Sequence, residues 1–198
     1  MSTRLIFVDP SDDPLEPRIG GGALIGGVAE WPVAPDGKPL WLISSIPSEF
    51  IAKHLNIQLL ANTFVSVFSY YSEDDYFLDE ITYHGNIDEL ACIKSGTTKV
   101  IQHPAGKEVF HEKVIPSYRM QTDADPVVDN DCGSYIGGEP GFLQNEKLDL
   151  DDMQFVLQLR SSDFPAKYSD IFGLADAVGY LYLDERGGSG GMFFAQVT

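Results

Sequence analysis

Basic residues are scarce in this chain: 13 Lys and Arg stand against 30 Asp and Glu in 198 residues, a formal net charge of −17. So strong a negative field repels phosphate backbones and anionic lipid, which argues against nucleic acid and membrane surfaces as partners and in favour of a cationic one. Acidity of this size also serves solubility alone, so it does not by itself define a binding surface. Cysteine is scarcer still. Cys92 and Cys132 stand in dissimilar surroundings and lack CxxC spacing, which implies neither a disulfide framework nor a zinc site. No apolar run approaches the ~18 residues that a bilayer span needs. The stretch Met1–Pro10 has only Leu5-Ile6-Phe7-Val8 in a row, short of a secretory segment, so the expected location is the cytoplasm.

Signatures of catalysis are missing as well. His54, His84, His103 and His111 are dispersed without HxH or HxxxH spacing, and there is no GxSxG. A Cys–His nucleophile would need Cys92 or Cys132 to meet His84 or His103 in space, and nothing in the sequence selects such a pair. The glycines at 187–191 precede a strand and have no lysine nearby, which fits a hairpin turn better than a phosphate cradle. Asp123, Asp125, Asp129 and Asp131 reach calcium-like density. Val127 and Val128 break the ligand order of an EF-hand, so a solvated acidic loop is the expectation. Taken together these absences predict no catalytic residues, no metal and no cofactor.

What is present is β-rich. Hydrophobic residues make up 43% and aromatics 12%, enough for a folded core. Runs at Leu5–Val8, Leu40–Ile43, Phe64–Phe68, Tyr76–Tyr83, Thr97–Ile101, Val109–Ile115, Phe155–Leu159, Gly179–Leu183 and Met192–Val197 are rich in β-branched and aromatic residues and bounded by Gly, Pro, Asn or Asp. The last two read as a hairpin. A helix is expected over Ser48–Leu60, with Ser48 as cap and Phe50, Ile51, His54, Leu55, Gln58 and Leu59 at helical spacing. A shorter one is expected over Pro165–Phe172.

One pattern occurs twice. Arg18-Ile19-Gly20-Gly21 precedes the apolar run Pro39–Pro47, and Tyr135-Ile136-Gly137-Gly138 precedes Met153–Arg160; each leads on to a further strand. Two copies in the same order, about 115 residues apart, predict a duplicated half-domain. The acidic stretch Asp123–Asp131 is the best seam, dividing the chain near 1–122 and 132–198.

Charge is distributed unevenly along this frame. Between Lys53 and Lys94 there are seven acids and no Lys or Arg, and between Arg119 and Lys147 six acids and again none. The window 94–119 between them carries five basic residues against two Glu. Glu73, Asp74 and Asp75 lie between Tyr70-Tyr71 and Tyr76-Phe77, which reads as either an exposed acidic tip or a recognition surface for a basic partner. Trp31, held extended by Pro32, is a core plug or a rigid binding anchor.

The order Ile19-Gly20-Gly21, Trp31-Pro32 and Gly37-Lys38-Pro39-Leu40, leading into an apolar strand that ends at Ile46, resembles the YwqG-like family, a bacterial group of unknown function. The resemblance continues through Ile136-Gly137-Gly138-Glu139-Pro140, Gln144, Val156-Leu157-Gln158-Leu159 and Gly179-Tyr180-Leu181-Tyr182. It covers roughly residues 18–50 and 134–184. The chain departs from the family pattern at Ser45, where a Gln matching Gln158 is usual, and after Phe172-Gly173, where a Trp-Gly-Asp signature is only approximated. The resemblance implies a single α+β domain, mostly antiparallel β with a few short helices, in two pseudo-symmetric halves. It supplies no catalytic mechanism, and by association with toxin loci it implies an immunity role.

These readings converge on a non-enzymatic, cytoplasmic, acidic protein-binding module, in its sharpest form an immunity protein that neutralises a basic toxin. Glu73, Asp74, Asp75, Tyr76, Trp31 and Gln158 are the candidate binding residues. The alternative is an enzyme or small-molecule binder whose cleft between the halves is lined by Trp31, Gln158 and the two Gly-Gly turns.

Overall fold

The computed structural model describes residues 1–127, 133–144, 148–185 and 190–198. The architecture is mostly antiparallel β, an 11-stranded curled sheet forming a half-barrel with a few short helices. Its strands are β1 (Thr3–Pro10), β2 (Arg18–Ile19), β3 (Ala23–Ile25), β4 (Trp41–Pro47), β5 (Thr63–Ser69), β6 (Thr98–Val109), β7 (Tyr118–Pro126), β8 (Tyr135–Ile136), β9 (Met153–Arg160), β10 (Val178–Asp184) and β11 (Gly191–Gln196). They lie in the order β11-β10-β9-β8-β1-β7-β2-β4-β5-β6-β3. No helix among the described residues is long and apolar enough to cross a membrane.

The two Gly-Gly motifs do similar local work. Ile19 pairs with Ser44 of β4, and Ile136 pairs with Leu157 of β9. Each short strand then breaks at glycines of positive φ, Gly20 (61°) and Gly21 (80°) in one case, Gly137 (77°) and Gly138 (74°) in the other. Only glycine takes up such angles without strain. The turns return hydrogen bonds to the sheet, Gly20 N–H to Ile43 O at 3.0 Å and Gly137 N–H to Val156 O at 2.8 Å.

Alternation along the last strands explains why they read as unbroken apolar runs. Val178, Tyr180 and Tyr182 of β10, with Phe155, Met192 and Phe194, face one cluster that Tyr83, Leu90 and Ile93 cover. Leu181, Leu183, Leu157, Leu159 and Phe193 face the larger cluster on the other side. Strands buried on both faces carry apolar residues at every position. At the far edges the sheet curls until Thr98 Oγ1 of β6 donates to Phe193 O of β11 at 2.6 Å.

Several expected elements differ. The helix over 48–60 ends early: α1 spans Ser48–His54, and Leu55 is extended. Pairing of Pro47 with Phe64 closes the β4–β5 connection, and this limits the helix. A 13-residue helix would travel ~20 Å, and the two residues left before Thr63 span at most ~7 Å. Ser48 does not cap; its hydroxyl lies 2.6 Å from Thr63 Oγ1 and ties the helix to β5. The expected strand Tyr76–Tyr83 is instead α2 (Leu78–Ile81), because Phe77 and Ile81 are buried at a spacing of one helical turn. A further helix, α3 (Ile87–Cys92), is capped by the Asn86 side chain, which accepts from Asp88 N at 2.9 Å. Val109–Ile115 is mostly coil after the end of β6, with Phe110 exposed. The helix near 165–172 is reduced to single 3-10 turns at Ser161–Asp163 and Ala166–Tyr168. The stretch marked as a seam begins within β7, which pairs with both β1 and β2. Residues 128–132 lie outside the described part, as does the glycine loop over 186–189.

A Cβ at Gly20 would stand 2.5 Å from Ile115 O and 2.7 Å from Pro116 O, on a backbone of φ 61°. Gly20→Ala is therefore expected to cost about 1–3 kcal/mol or more, read as a lowered denaturation midpoint. An unchanged midpoint would show that the turn accommodates a side chain.

Candidate functional site

A groove of about 320 Å³ opens beside the end of β5, lined by Lys38, Pro39, Trp41, Tyr71, Glu73, Asp75, His111, Glu112 and Lys113 among others. Three distant segments build it. The first is the turn over 35–39, closed by Ala34 N–H to Lys38 O at 2.8 Å and by Lys38 N–H to Asp36 Oδ1 at 3.0 Å. The second follows β5, where Ser72 Oγ accepts from the backbone of Asp74 (3.3 Å) and Asp75 (2.9 Å), a hydroxyl turn that throws the acids outward. The third is the coil after β6, which brings in His111 and Lys113.

The floor is aromatic. Trp41 and Tyr71 pack edge-to-face at 5.0 Å, and Tyr168 adds a third ring 6.0 Å from Trp41. Tyr71 donates to Asp170 Oδ1 at 3.3 Å, and burial together with that carboxylate pushes its phenol up to about 12. The walls alternate in charge. Glu73 pairs with Lys167 at 3.1 Å and Lys113 at 3.3 Å, and hydrogen bonds from these two amines hold its carboxyl below the usual range. Lys38 donates to Tyr70 Oη at 2.7 Å and lies 3.6 Å from Asp75 and 3.7 Å from Asp36. All these ion pairs are solvent-exposed, so each contributes little to stability and is free to exchange partners.

The six residues singled out from the sequence do not all meet here. Glu73 and Asp75 line the groove. Asp74 is exposed, and Tyr76, 73% exposed, donates to Asp79 at 3.0 Å. Trp31 stands behind the groove, its ring 5.6 Å from His111 and 5.4 Å from Phe68, its Nε1 donating to Leu40 O at 2.8 Å. Gln158 lies elsewhere, wholly buried in β9. It accepts from Gly141 N–H and donates to Gly133 O, both at 2.9 Å, so it pins the loops on either side of β8. Trp31 and Gln158 line none of the described cavities, and of the Gly-Gly turns only Gly21 lines one. Sequence reasoning missed Lys38, Trp41, His111, Glu112, Lys113 and Lys167, and met Tyr71 only as a neighbour of the acidic tip. The basic window 94–119 and the 35–39 turn were the signals for part of this set.

Two further groups bring reactive side chains close together. Cys92 lies 3.4 Å from Glu80 Oε2, and burial with that neighbour pushes its thiol up, away from a reactive thiolate. Ser66 Oγ and His103 Nε2 are 2.8 Å apart, with His103 Nδ1 2.9 Å from Pro104 O, a nucleophile–base geometry. Both are buried and line none of the described cavities. Among the described residues no group of three metal-ligating side chains gathers; Asp129 and Asp131 lie outside them. Compared with protein-family models and with curated proteins, the chain gives no match.

Two outcomes follow for these buried groups. Gln158→Leu removes the amide that holds the Gly141 N–H and the Gly133 carbonyl, and is expected to cost about 2–4 kcal/mol in denaturant unfolding; a near-neutral result would mean that this amide is not needed to hold the two loops. Burial lowers the His103 pKa, so the folded state resists the proton that the unfolded chain accepts. The stability this group contributes is complete above the unfolded value of about 6.5 and is lost as pH falls below it. His103→Gln should flatten that part of the stability profile between pH 7 and 5, and an unaltered slope would assign it to other groups.

Proposed function

We propose that this chain is a non-enzymatic, cytoplasmic, acidic protein-binding module that captures a basic protein, with a bacterial toxin as the partner of an immunity role. The observation that carries the reading is the groove itself. An aromatic floor of Trp41 and Tyr71 is ringed by Glu73, Asp75 and Glu112, beside exposed Tyr76. Glu73 and Asp75 are paired with solvent-exposed lysines. An incoming Lys or Arg from a partner would displace Lys113 or Lys167 from Glu73 and lie over an aromatic face, where cations are attracted by the ring. The chain's net charge would steer such a partner, and the rings would then hold it.

As the finer reading of the fold we infer a duplicated half-domain of YwqG-like type. Supporting it, strands β2-β4-β5-β6 run outward from one side of the β1–β7 pair and β8-β9-β10-β11 from the other. The two Ile-Gly-Gly motifs also occupy matching registers. The seam near 123–131 and the halves 1–122 and 132–198 belong to this reading.

The test is stopped-flow association with a basic protein, a toxin encoded beside this gene being the partner that the immunity reading calls for. Changing Glu73→Gln, Asp74→Asn and Asp75→Asn together is expected to slow association roughly tenfold at low salt and to flatten its salt dependence. Lys113→Ala with Lys167→Ala should act oppositely, because it frees Glu73. Tyr76→Ala should speed dissociation. Association indifferent to all these changes would remove this face from the reading.

A further inference from the structure

The basic window 94–119 is only partly used by the groove. Its first two lysines belong to a larger cavity, of about 420 Å³, at the seam of the half-barrel. There the edges of β6 and β11 face each other without a ladder between them, bridged where Thr98 Oγ1 meets Phe193 O. Beyond that bridge the cavity lies between Val100 and Ile101 on one side and Gly191 and Met192 on the other, with Met153 and Ile93 completing an apolar lining. Two methionines make such a lining adaptable in shape, and the volume is that of a small-molecule site.

Its polar side is of one kind. The Ser95 hydroxyl is spent on Cys92 O at 2.6 Å and Thr98 on Phe193 O. Lys99 gives one proton to Val33 O at 2.9 Å, which leaves two. Lys94 makes no hydrogen bond or ion pair among the described residues, in a chain where acids outnumber bases more than twofold. The side-chain groups still free are thus ammonium donors. A ligand must present an acceptor to them and an apolar body to the lining. The long-range field of a −17 chain opposes anions, so a single negative charge paired at short range is favoured over a phosphate dianion.

We propose that this seam cavity binds an amphiphilic monocarboxylate, its head group held by Lys94 and Lys99 and its hydrocarbon against Val100, Ile101, Met153 and Met192. Titration of the full chain with decanoate below its micellar concentration, followed by calorimetry, tests this. Saturable binding of one decanoate is expected, with decanol roughly tenfold weaker or more, since the charged hydrogen bonds are lost. Lys94→Ala with Lys99→Ala, both at solvent-accessible positions, should bring decanoate down to the level of decanol while leaving the melting temperature in place. Val100→Trp should fill the cavity and abolish binding of both. Decanoate that fails to saturate, that binds no better than decanol, or that is indifferent to loss of both lysines would overturn the proposal. The double lysine variant keeps the test decisive if Val100→Trp does not fold.

Discussion

Strand β1 joins the two sides of the sheet. Along one edge it pairs with β7, Leu5 with Thr122 and Phe7 with Met120, and along the other with β8, Thr3 with Ile136 and Arg4 with Tyr135. Its partners are more than a hundred residues away, so the ladder forms only after long loops have closed, at an entropic cost that the rest of the sheet offsets. β7 in turn carries β2 on its far edge, through Arg18 with Arg119 and Ile19 with Tyr118. Every strand outward from this centre reaches it through one of two short segments, β2 or β8. That is why glycine turns follow both: a strand of two residues must stop sharply to let its longer neighbour continue.

Matching registers are filled by different chemistry on the two sides. Gln158, opposite Tyr135, reaches both flanking loops with its amide. Ser45, opposite Arg18, is too short for that role. Arg18 itself, 2% exposed, turns back to donate to Gly22 O at 2.7 Å and to Glu108 at 2.6 Å. A buried charge needs both a counter-ion and further acceptors; Glu108 and Gly22 O meet one terminal nitrogen of this guanidinium, while its Nε has no partner.

Charge is organised by scarcity. With few lysines available, three of them, Lys38, Lys113 and Lys167, converge on the acids that follow β5. The acidic tip is thus a mixed surface whose local field is weaker than its composition suggests. Exposed pairs of this sort exchange readily because water screens both states. The same scarcity sets Lys94 apart, since it stands beside an apolar cavity instead of a carboxylate.

The β-rich class, the last hairpin, the glycine turns and most strand positions were legible in the chain itself, because side-chain alternation and positive φ are local properties. Phe77 and Ile81 also carried a helical spacing, but aromatic and β-branched content around them masked it. Other features belonged to the tertiary structure alone. The length of α1 was decided by the closure of Pro47 onto Phe64, the burial of Gln158 by the loops around β8, and the separation of Trp31 from Gln158 by the path of the sheet. The groove was legible in Glu73, Asp75 and the Tyr71 beside them. Trp41, His111 and Lys167 join them from segments that no local pattern connects, since a surface is made of whatever the folded backbone brings side by side.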